Sequence, residues 1–413
     1  MLDNIENNDK KINGDMTVYH KKKFSKIFTI ILYFVIFALG YEAATISYTR
    51  SFGKVPAETI NKMNKIETII DENYYKDYSK GKLYEYVESF MVYGLEDPFS
   101  YYLDEEGESE FNDTIDGSYV GVGLTLTPSD SGEIKVIAPF DGSPAQAAGI
   151  MKNDIIYKVN GNIYSYEEID KAISLMKGKE GETVTLEIKR EGSNNFTCTL
   201  TKSKIIYQSV VSSMLTENIL YLRISRFDVN TYDAFKEELY KHPFTSETNL
   251  IIDLRDNPGG TVVTSVNIAD LFLDKGVIIT EKYKNRKDIV EKASKGCIDI
   301  KYPIVILTNN STASASEILA GSLKDHKKAI TIGEKTYGKG LINRYFKIDN
   351  KSSIVLSVAE YLTPSGKSIH KSGISPDIEV ISNINKSVLT MEYEEDNQLQ
   401  AAVEYINSQL ITE

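Results

Sequence analysis

Two segments of the chain carry side chains that can activate each other for covalent chemistry. The first, residues 311–320, follows the apolar run 304–307 and opens a helical pattern. A serine at such a strand-to-helix turn is where hydrolase nucleophiles often sit, and Ser314 has this position. Ser314 also fits a capping box with Glu317, in which the serine only begins a helix. Local spacing alone favours capping.

The second segment is Thr336-Tyr337-Gly338-Lys339-Gly340, one strand further along. A lysine between two glycines in a loop is usually a solvated charge. In a site that excludes water, a lysine loses its proton more easily and can act as a general base. This second reading makes Lys339 a partner for the serine.

A double-glycine turn offers a third chemical element. Residues 253–260 follow a buried type of strand, and the order Asn257-Pro258-Gly259-Gly260 suits a tight turn with exposed N–H groups. Such groups beside a helix N-terminus can stabilise a developing oxyanion. Neither Gly-x-Gly-x-x-Gly nor the Walker spacing is present here, which argues against nucleotide binding. Taken alone, the segment also fits a plain turn.

A fourth segment places glycines ahead of a region of short strands. In residues 119–124 two glycines let successive N–H groups point at an anion, and residues 143–150 read Ser-Pro-Ala-x-x-Ala-Gly-Ile before Asn-Asp-Ile-Ile and Asn-Gly. This order resembles a PDZ domain, whose glycine-containing loop captures a terminal carboxylate beside a strand edge. An ordinary core role is the alternative for the apolar members of the predicted peptide site. That site comprises Val120, Gly121, Val122, Gly123, Leu124, Ile169 and Ile173.

The elements around these segments indicate two folded regions after an N-terminal helical part. Residues 56–75 and 83–95 have apolar side chains at helical spacing, and 119–202 changes to short strands and turns. Later, strand-like runs alternate with helices, which indicates an α/β domain. A last amphipathic stretch, 397–410, should form a helix that docks or dimerises. The strand-like runs are 219–224, 250–254, 304–307, 329–332 and 354–358.

The N-terminal residues have the charge pattern of a membrane-targeting segment. Four lysines, at positions 21, 22, 23 and 26, precede an uncharged run of 15 residues, 27–41. At about 1.5 Å per residue this run is shorter than a bilayer core of about 30 Å, although tilting and residues up to 48 can extend it. We expect a membrane anchor with the catalytic part outside the cytoplasm. A cleaved signal peptide and a secreted form are the alternative.

Composition limits the partners and cofactors. The chain has 413 residues, of which 41% are hydrophobic and 26% charged, so most of it should fold as globular protein. Its net charge of -12 argues against a nucleic-acid partner held through phosphates. Cys198 and Cys297 have no metal-like spacing, and a disulfide between them stays open. We expect no metal and no other cofactor.

The order of all these segments is similar to that of the carboxyl-terminal processing peptidases, also called tail-specific proteases. The similarity covers roughly residues 55–380 and includes Pro98-Phe99-Ser100 and the motifs at 362–366 and 373–377. It implies an α/β peptidase core of the crotonase/ClpP-like type with an inserted PDZ domain (α+β), behind the expected N-terminal membrane helix.

The resemblance also implies roles for individual residues. Ser314 matches the nucleophile and Lys339 the base of the family. The family usually has a glutamine four residues after the lysine, which helps to orient it, and this chain has Asn343 there. Its amide stands on a shorter stem, so we expect the role to survive with adjusted geometry. The implied oxyanion hole uses the backbone N–H of Gly259 or Gly260 and that of Ala315.

The implied function is a serine endopeptidase that cleaves protein substrates at or near their C-termini, with the PDZ domain binding the C-terminus and gating access. The alternative is a catalytically impaired PDZ scaffold or regulatory protein at the membrane, which Asn343 keeps open. A histidine triad has little support, because His20 precedes the apolar run and no other histidine lies in a triad motif. A crotonase-like enzyme for acyl thioesters fits poorly with a PDZ insertion and an export segment.

The expected organisation and partners follow from these assignments. Partners would be proteins or peptides with apolar C-termini and the membrane, and a homodimer stays open. The expected parts are a cytoplasmic leader (1–26), a membrane anchor or signal (27–48), an N-terminal helical region (55–104), a PDZ domain (105–203), a serine peptidase domain (204–386) and a C-terminal helix (387–413).

Overall fold

The chain divides into two compact units, one up to Lys80 and one from Gly81 onward. The first unit contains helix α1, residues 30–44, and helix α2, Ala57–Asn73. The computed structural model describes residues 30–44, 55–129, 131–140, 142–294, 298–383 and 393–411.

The predicted N-terminal membrane helix is not confirmed. Helix α1 has 15 residues, 30–44, which span about 22 Å at about 1.5 Å per residue. Among the described residues, no helix combines the length and the apolar composition needed to cross a membrane. The other residues of the predicted segment, 27–29 and 45–48, lie outside the described part of the chain.

The remaining elements begin at Lys80. The helices are α3 (Lys80–Tyr93), α4 (Glu105–Ile115), α5 (Pro144–Ala147), α6 (Ile169–Met176), α7 (Thr231–Tyr240), α8 (Val262–Asp270), α9 (Ala315–Asp325) and α10 (Asn397–Ile411). The strands are β1 (Tyr101–Leu103), β2 (Ser118–Gly121), β3 (Leu124–Pro128), β4 (Ile134–Pro139), β5 (Ile155–Val159), β6 (Thr183–Lys189), β7 (Phe196–Thr201), β8 (Ser203–Ile206), β9 (Val210–Thr216), β10 (Ile219–Ile224), β11 (Asn249–Asp253), β12 (Val277–Tyr283), β13 (Ile289–Lys292), β14 (Ile304–Thr308), β15 (Ala329–Gly333), β16 (Leu341–Lys347), β17 (Ser353–Leu362) and β18 (Ile378–Glu379).

The region predicted as a PDZ domain is an antiparallel sheet with its own core. Its strands lie in the order β3-β4-β5-β6-β7, with β3 at an edge, and the ribbon β2–β8 connects it to the rest of the unit. Every second side chain of β6 is buried, which is the alternation expected of a half-buried strand. Cys198 in β7 is a free cysteine, and Cys297 lies outside the described residues.

A six-stranded sheet forms the centre of the second α/β region, in the order β18-β15-β14-β11-β10-β9. Strands β10, β11, β14 and β15 run parallel, and β9 is antiparallel to β10. All residues of β11 and β14 are buried, because helices cover both faces of the sheet. Parallel strands end at the same edge, so the turns after β11 and β14 become neighbours.

Helix α10 packs on this sheet and is held by a buried ion-pair cluster. Arg255 donates to both carboxylate oxygens of Asp396 at 2.7 Å and to Asp253 at 2.7–3.1 Å. Leu399 and Ile406 of the helix join the core formed with Ile251. The C-terminal helix predicted from residue 397 is therefore confirmed as a docked element, and a role in dimerisation stays a prediction.

The predicted strands agree with the structure to within a few residues, except that β17 is longer at both ends. A second sheet was not predicted. It has the order β1-β17-β12-β13, with β16 also paired to β17. Strand β1 belongs to the stretch 55–104, predicted as helical, and the pairing of Tyr102 with Ile354 joins this strand to the C-terminal half. The pairing joins residues far apart in sequence, so no local pattern predicts it.

Candidate active site

Ser314 lies at the turn between β14 and α9, in a backbone conformation that is unusual for a residue with a side chain. Its φ is 56° and its ψ is -117°. Non-glycine residues with positive φ are uncommon, and they cluster at functional sites. The Tyr361 hydroxyl donates to the Ser314 carbonyl at 3.1 Å and helps to hold the turn. This is the kind of sharp strand-to-helix turn that presents a nucleophilic hydroxyl.

Glu317 connects the serine turn to the lysine loop. Its buried carboxylate accepts hydrogen bonds from the N–H of Ser314 at 2.8 Å and from the N–H groups of Gly338 and Lys339, both at 2.9 Å. It also accepts from the Thr336 hydroxyl at 2.5 Å. Burial raises the pKa of Glu317, and these donors act in the opposite direction. Glu317 therefore caps the helix at Ser314 and also bonds to the lysine loop, so the capping role does not exclude a chemical role for Ser314.

Lys339 lies in a partly buried position beside an aromatic ring. Burial lowers the pKa of Lys339, and the charge of Asp97 opposes part of this change. Its Nζ is 4.6 Å from the centroid of the Phe99 ring. Among the described residues, no hydrogen bond joins this Nζ to the Ser314 hydroxyl. A Cβ on Gly340 would lie 2.5 Å from the backbone nitrogen of His370, so the residue after the lysine has room only for glycine.

Among the described residues, the Asn343 side chain bonds to Phe99, the residue beside Lys339, and not to Lys339 itself. Asn343 lies in β16, at an irregularity in the pairing with β17. Its side-chain amide donates to the backbone carbonyl of Phe99. The amide therefore bonds to the residue whose ring lies beside Lys339 Nζ.

The double-glycine turn packs directly against the serine turn. Gly259 has φ of 100°, and a Cβ there would lie 2.8 Å from both the Ala315 nitrogen and the Ser314 Cβ. The Gly259 N–H donates to the Asn257 side chain at 2.9 Å. Among the described residues, the N–H groups of Gly260 and Ala315 have no hydrogen-bond acceptor. Of the predicted donors, these two N–H groups are the ones without an internal partner.

The buried Asn257 explains the rigidity of this arrangement. Its side chain donates to the Ile224 carbonyl at 2.8 Å. Its own carbonyl accepts from the Ala313 N–H and the Ser316 hydroxyl, both at 3.0 Å. Strand β10, the glycine turn and helix α9 are thus locked together on both sides of Ser314.

The predicted peptide site is an open groove between β3 and α6. A cavity of about 840 Å³ is lined by four of the predicted residues, Val122, Leu124, Ile169 and Ile173. Val120 and Gly121 pair with β8 instead, and Gly123 sits in the loop at φ of 78°. The free edge of β3 faces this cavity, as strand addition by a peptide requires.

Tyr119 lies at one end of the groove, close to the loop that was predicted to bind a carboxylate. Its ring lies 5.0 Å from that of Tyr207 and 5.2 Å from Lys177 Nζ. Burial raises the pKa of Tyr119 to about 12, and the backbone N–H groups of Leu124 and Gly123 lower it in part.

Sequence reasoning missed three contributors to the site. Glu317 was identified only as a cap, and its contacts with the lysine loop cross 22 residues of sequence. Phe99 belonged to the Pro98-Phe99-Ser100 motif without an assigned role, and Asp97 lies just before that motif. Pairing of the neighbouring β1 with β17 brings them near Lys339, and the Pro98-Phe99-Ser100 motif was the one available signal.

Models of three known protein families match this chain. Residues 218–380 match peptidase family S41, 118–199 match a PDZ domain, and 38–107 match the N-terminal domain of the activating protease CtpB. The PDZ match lies within the predicted domain at 105–203, and the peptidase match lies within 204–386. The matches support a serine-type peptidase fold with a PDZ domain, while the name crotonase/ClpP-like for the core stays a prediction.

Curated relatives resemble the chain over most of its length. It is 34% identical to the carboxy-terminal processing protease CtpA of Bacillus subtilis, over 87% of this chain and 78% of that protein. It is 31% identical to a probable CtpA-like serine protease of Staphylococcus haemolyticus, over 98% of this chain and 82% of that protein. The chain is also similar to the solved structure of a putative S41 protease from Bacteroides fragilis. The similarity covers 76% of this chain and 87% of that protein, with a TM-score of 0.52 and 17% identity. This likeness supports the fold alone.

Proposed function

Because this chain belongs to the carboxy-terminal processing proteases, a family of serine-type peptidases, we propose that it is an endopeptidase that cleaves proteins at or near their C-termini with a Ser314–Lys339 pair. Neutral Lys339 takes the proton of the Ser314 hydroxyl, and the serine oxygen attacks the scissile carbonyl. An acyl-enzyme forms and water hydrolyses it. The observation that carries the proposal is the Glu317 carboxylate, which bonds to the backbone of both residues.

The electrostatics of the lysine support this role. An amine acts as a base only when it is unprotonated, and burial lowers the pKa of Lys339 in that direction. The Nζ rests beside the Phe99 ring, so a rotation of the lysine side chain has to bring it to Ser314. Asn343 contributes by holding Phe99 through its carbonyl.

The developing oxyanion would be bound by backbone N–H groups of the two turns. Ala315 opens helix α9, where N–H groups point outward and the helix dipole favours negative charge. Gly260 would supply the second donor, because its N–H is free of an internal acceptor among the described residues, whereas the Gly259 N–H already donates to the Asn257 side chain. Donors fixed in this way stabilise charge without reorganisation during the reaction.

The PDZ groove would select the substrate by its C-terminal tail and gate entry to the site. An apolar last side chain fits the Leu124, Ile169 and Ile173 side of the cavity, while the tail adds a strand to β3. Substrates would then be proteins or peptides with apolar C-termini. The lysine-preceded apolar run supports action outside the cytoplasm.

A comparison of purified variants on one tailed substrate tests the proposal. The substrate is a denatured protein with an apolar C-terminal tail, and mass spectrometry reports the cleavage sites. Ser314→Ala and Lys339→Ala should each abolish cleavage, while Ser311→Ala and Lys335→Ala, which alter exposed neighbours, should leave it unchanged. Full activity of Lys339→Ala would exclude the lysine as the base.

A catalytically impaired PDZ scaffold is the second candidate function. It is favoured by the Asn343 amide, which contacts the Phe99 carbonyl, and by the Lys339 Nζ, which rests on the Phe99 ring. This candidate predicts tail binding without any cleavage that depends on Ser314. The same assay separates the two functions, because only a peptidase gives products that disappear in Ser314→Ala.

A further inference from the structure

Arg223 is a buried arginine whose hydrogen-bond donors are not satisfied. It lies in β10 with only 6% of its surface exposed. Among the described residues, neither its Nε nor its Nη1 has a hydrogen-bond partner. Buried polar groups are nearly always paired, and an unpaired charged donor is costly. Arg223 therefore lacks an acceptor that something else has to supply.

Asp253 does not supply that acceptor. Its Oδ2 is 3.6 Å from Arg223 Nη1, close enough for an ion pair and too far for a hydrogen bond. Its two oxygens already accept from the Tyr221 hydroxyl at 2.7 Å and from the Arg255 guanidinium at 2.7–3.1 Å. Asp253 balances the charge of Arg223 and, in the part of the chain that the structure describes, leaves the Nε and Nη1 of Arg223 without an acceptor.

Arg223 lines the same cavity as the apolar peptide groove. The cavity of about 840 Å³ has Leu124 and Ile173 on one side and Arg223 on the peptidase side. Two cations, Arg223 and Lys177, line it, against one exposed carboxylate, that of Asp170. A peptide added to the edge of β3 turns alternate side chains toward opposite faces, so part of it faces the peptidase wall. The missing acceptor would belong to that peptide.

We propose that Arg223 binds a carboxylate of the substrate tail, so that the peptidase domain and the PDZ domain read the tail together. This inference rests on the proposed tail-binding function of the groove. A guanidinium matches a carboxylate with two parallel hydrogen bonds, and such charge-assisted pairs are among the strong ones. The carboxylate is either the chain terminus or an Asp or Glu side chain near it. Both sources have the same chemistry.

Direct binding separates these sources without requiring cleavage. The protein carries Ser314→Ala, and four labelled peptides share an apolar last residue and an apolar body. They differ only in a free or amidated terminus and in Glu or Gln at the penultimate position. Adding Arg223→Met should weaken binding of the free-acid Glu peptide at least about tenfold and leave the amidated Gln peptide unchanged. The carboxylate whose removal cancels the effect is the one that Arg223 binds.

Two further variants keep the test decisive. Arg226→Met removes a cation three residues away that donates to the Thr114 carbonyl and does not line the cavity. This variant should therefore bind each of the four peptides with the same affinity as the protein in which Arg226 is intact. Arg223→Lys keeps the charge without the planar fork and should lose part of the affinity for carboxylates. It replaces Arg223→Met if that variant does not unfold cooperatively.

Two results would overturn the inference. One is equal affinity of all four peptides for the protein with Arg223 intact, which needs no variant of the arginine. The other is an equal loss for every peptide in Arg223→Met or Arg223→Lys, which would mark a structural partner of Asp253. A protein that discriminates the tails as expected but cleaves none would refute the proposed peptidase and leave the Arg223 assignment in place.

Discussion

The serine turn and the peptide groove are built in opposite ways. Around Ser314, buried polar groups accept from several partners each, and Gly259 leaves no space for a Cβ. The groove is an open cavity with apolar walls. Within the described residues, the edge of β3 has no partner strand, and Nε and Nη1 of Arg223 have no hydrogen-bond acceptor. The first region fixes atoms in position, and the second is complete only with an occupant. We therefore propose that the first region positions the reacting groups and that the second selects the substrate.

Loss of the Glu317 carboxylate should have the largest effect, because it connects the two turns of the rigid region. Glu317→Ala leaves three N–H groups, each at least partly buried, and the Thr336 hydroxyl without their acceptor. We expect the free energy of unfolding to fall by about 3–6 kcal/mol and cleavage to fall more than about 10³-fold. Denaturant unfolding and kcat measure the two effects.

Two comparisons make the Glu317 result interpretable. Glu317→Gln keeps the shape and one acceptor oxygen, so it should lose about 1–3 kcal/mol and still fold. Glu237→Ala, on the exposed surface of α7, should change neither quantity. Normal cleavage by a stably folded Glu317→Ala would show that the link between the turns is not needed.

Crowding the double-glycine turn should come next. In Gly259→Ala the new Cβ would lie 2.8 Å from the Ala315 nitrogen and push the proposed oxyanion donors apart. We expect kcat to fall about 10²-fold, the effect of losing one such donor. Gly366→Ala is the matched control, because Gly366 also has positive φ (78°) but nothing within 4 Å of its Cβ position. Similar losses in both variants would reduce the effect to backbone strain.

A change in the groove should affect binding more than chemistry. Ile173→Ser removes apolar surface that lines the cavity, so KM for a substrate with an apolar tail should rise about tenfold. Cleavage of a short peptide without that tail should not change. Ile163→Ser, at a position 59% exposed, is the control. A fall in kcat on both substrates would contradict the separation of selection from positioning.

The smallest expected effect is on the pH profile and tests the lysine directly. Only unprotonated Lys339 accepts a proton, so kcat/KM should rise with pH and level off below the ordinary lysine pKa of 10.5. Asp97 favours the charged lysine, so Asp97→Asn should lower the pKa of Lys339 further and move the rise to lower pH. The exposed Asp274→Asn should leave the profile in place. A shift to higher pH in Asp97→Asn would contradict the assignment.

Much of this architecture could be predicted because it depends on local pattern. Strand β10 matches its predicted bounds, because a short run of apolar residues is itself a sequence signal for a buried strand. The PDZ region and the peptidase region could be recognised because their motifs combine turn residues at set distances, and the matching family models support both. The pairing of β1 with β17 could not be predicted, since strand pairing across more than 200 residues leaves no local signal.

The sequence by itself determined which chemical groups are present: a serine at a strand-to-helix turn, a lysine between glycines, a double-glycine turn and a glycine loop before a small sheet. Only the tertiary structure decided how they meet. It brought Glu317 to both turns, placed the Phe99 ring beside Lys339 and turned Arg223 toward the groove. The physical reason is that side-chain chemistry is local, whereas burial and hydrogen-bond partners depend on elements distant in sequence.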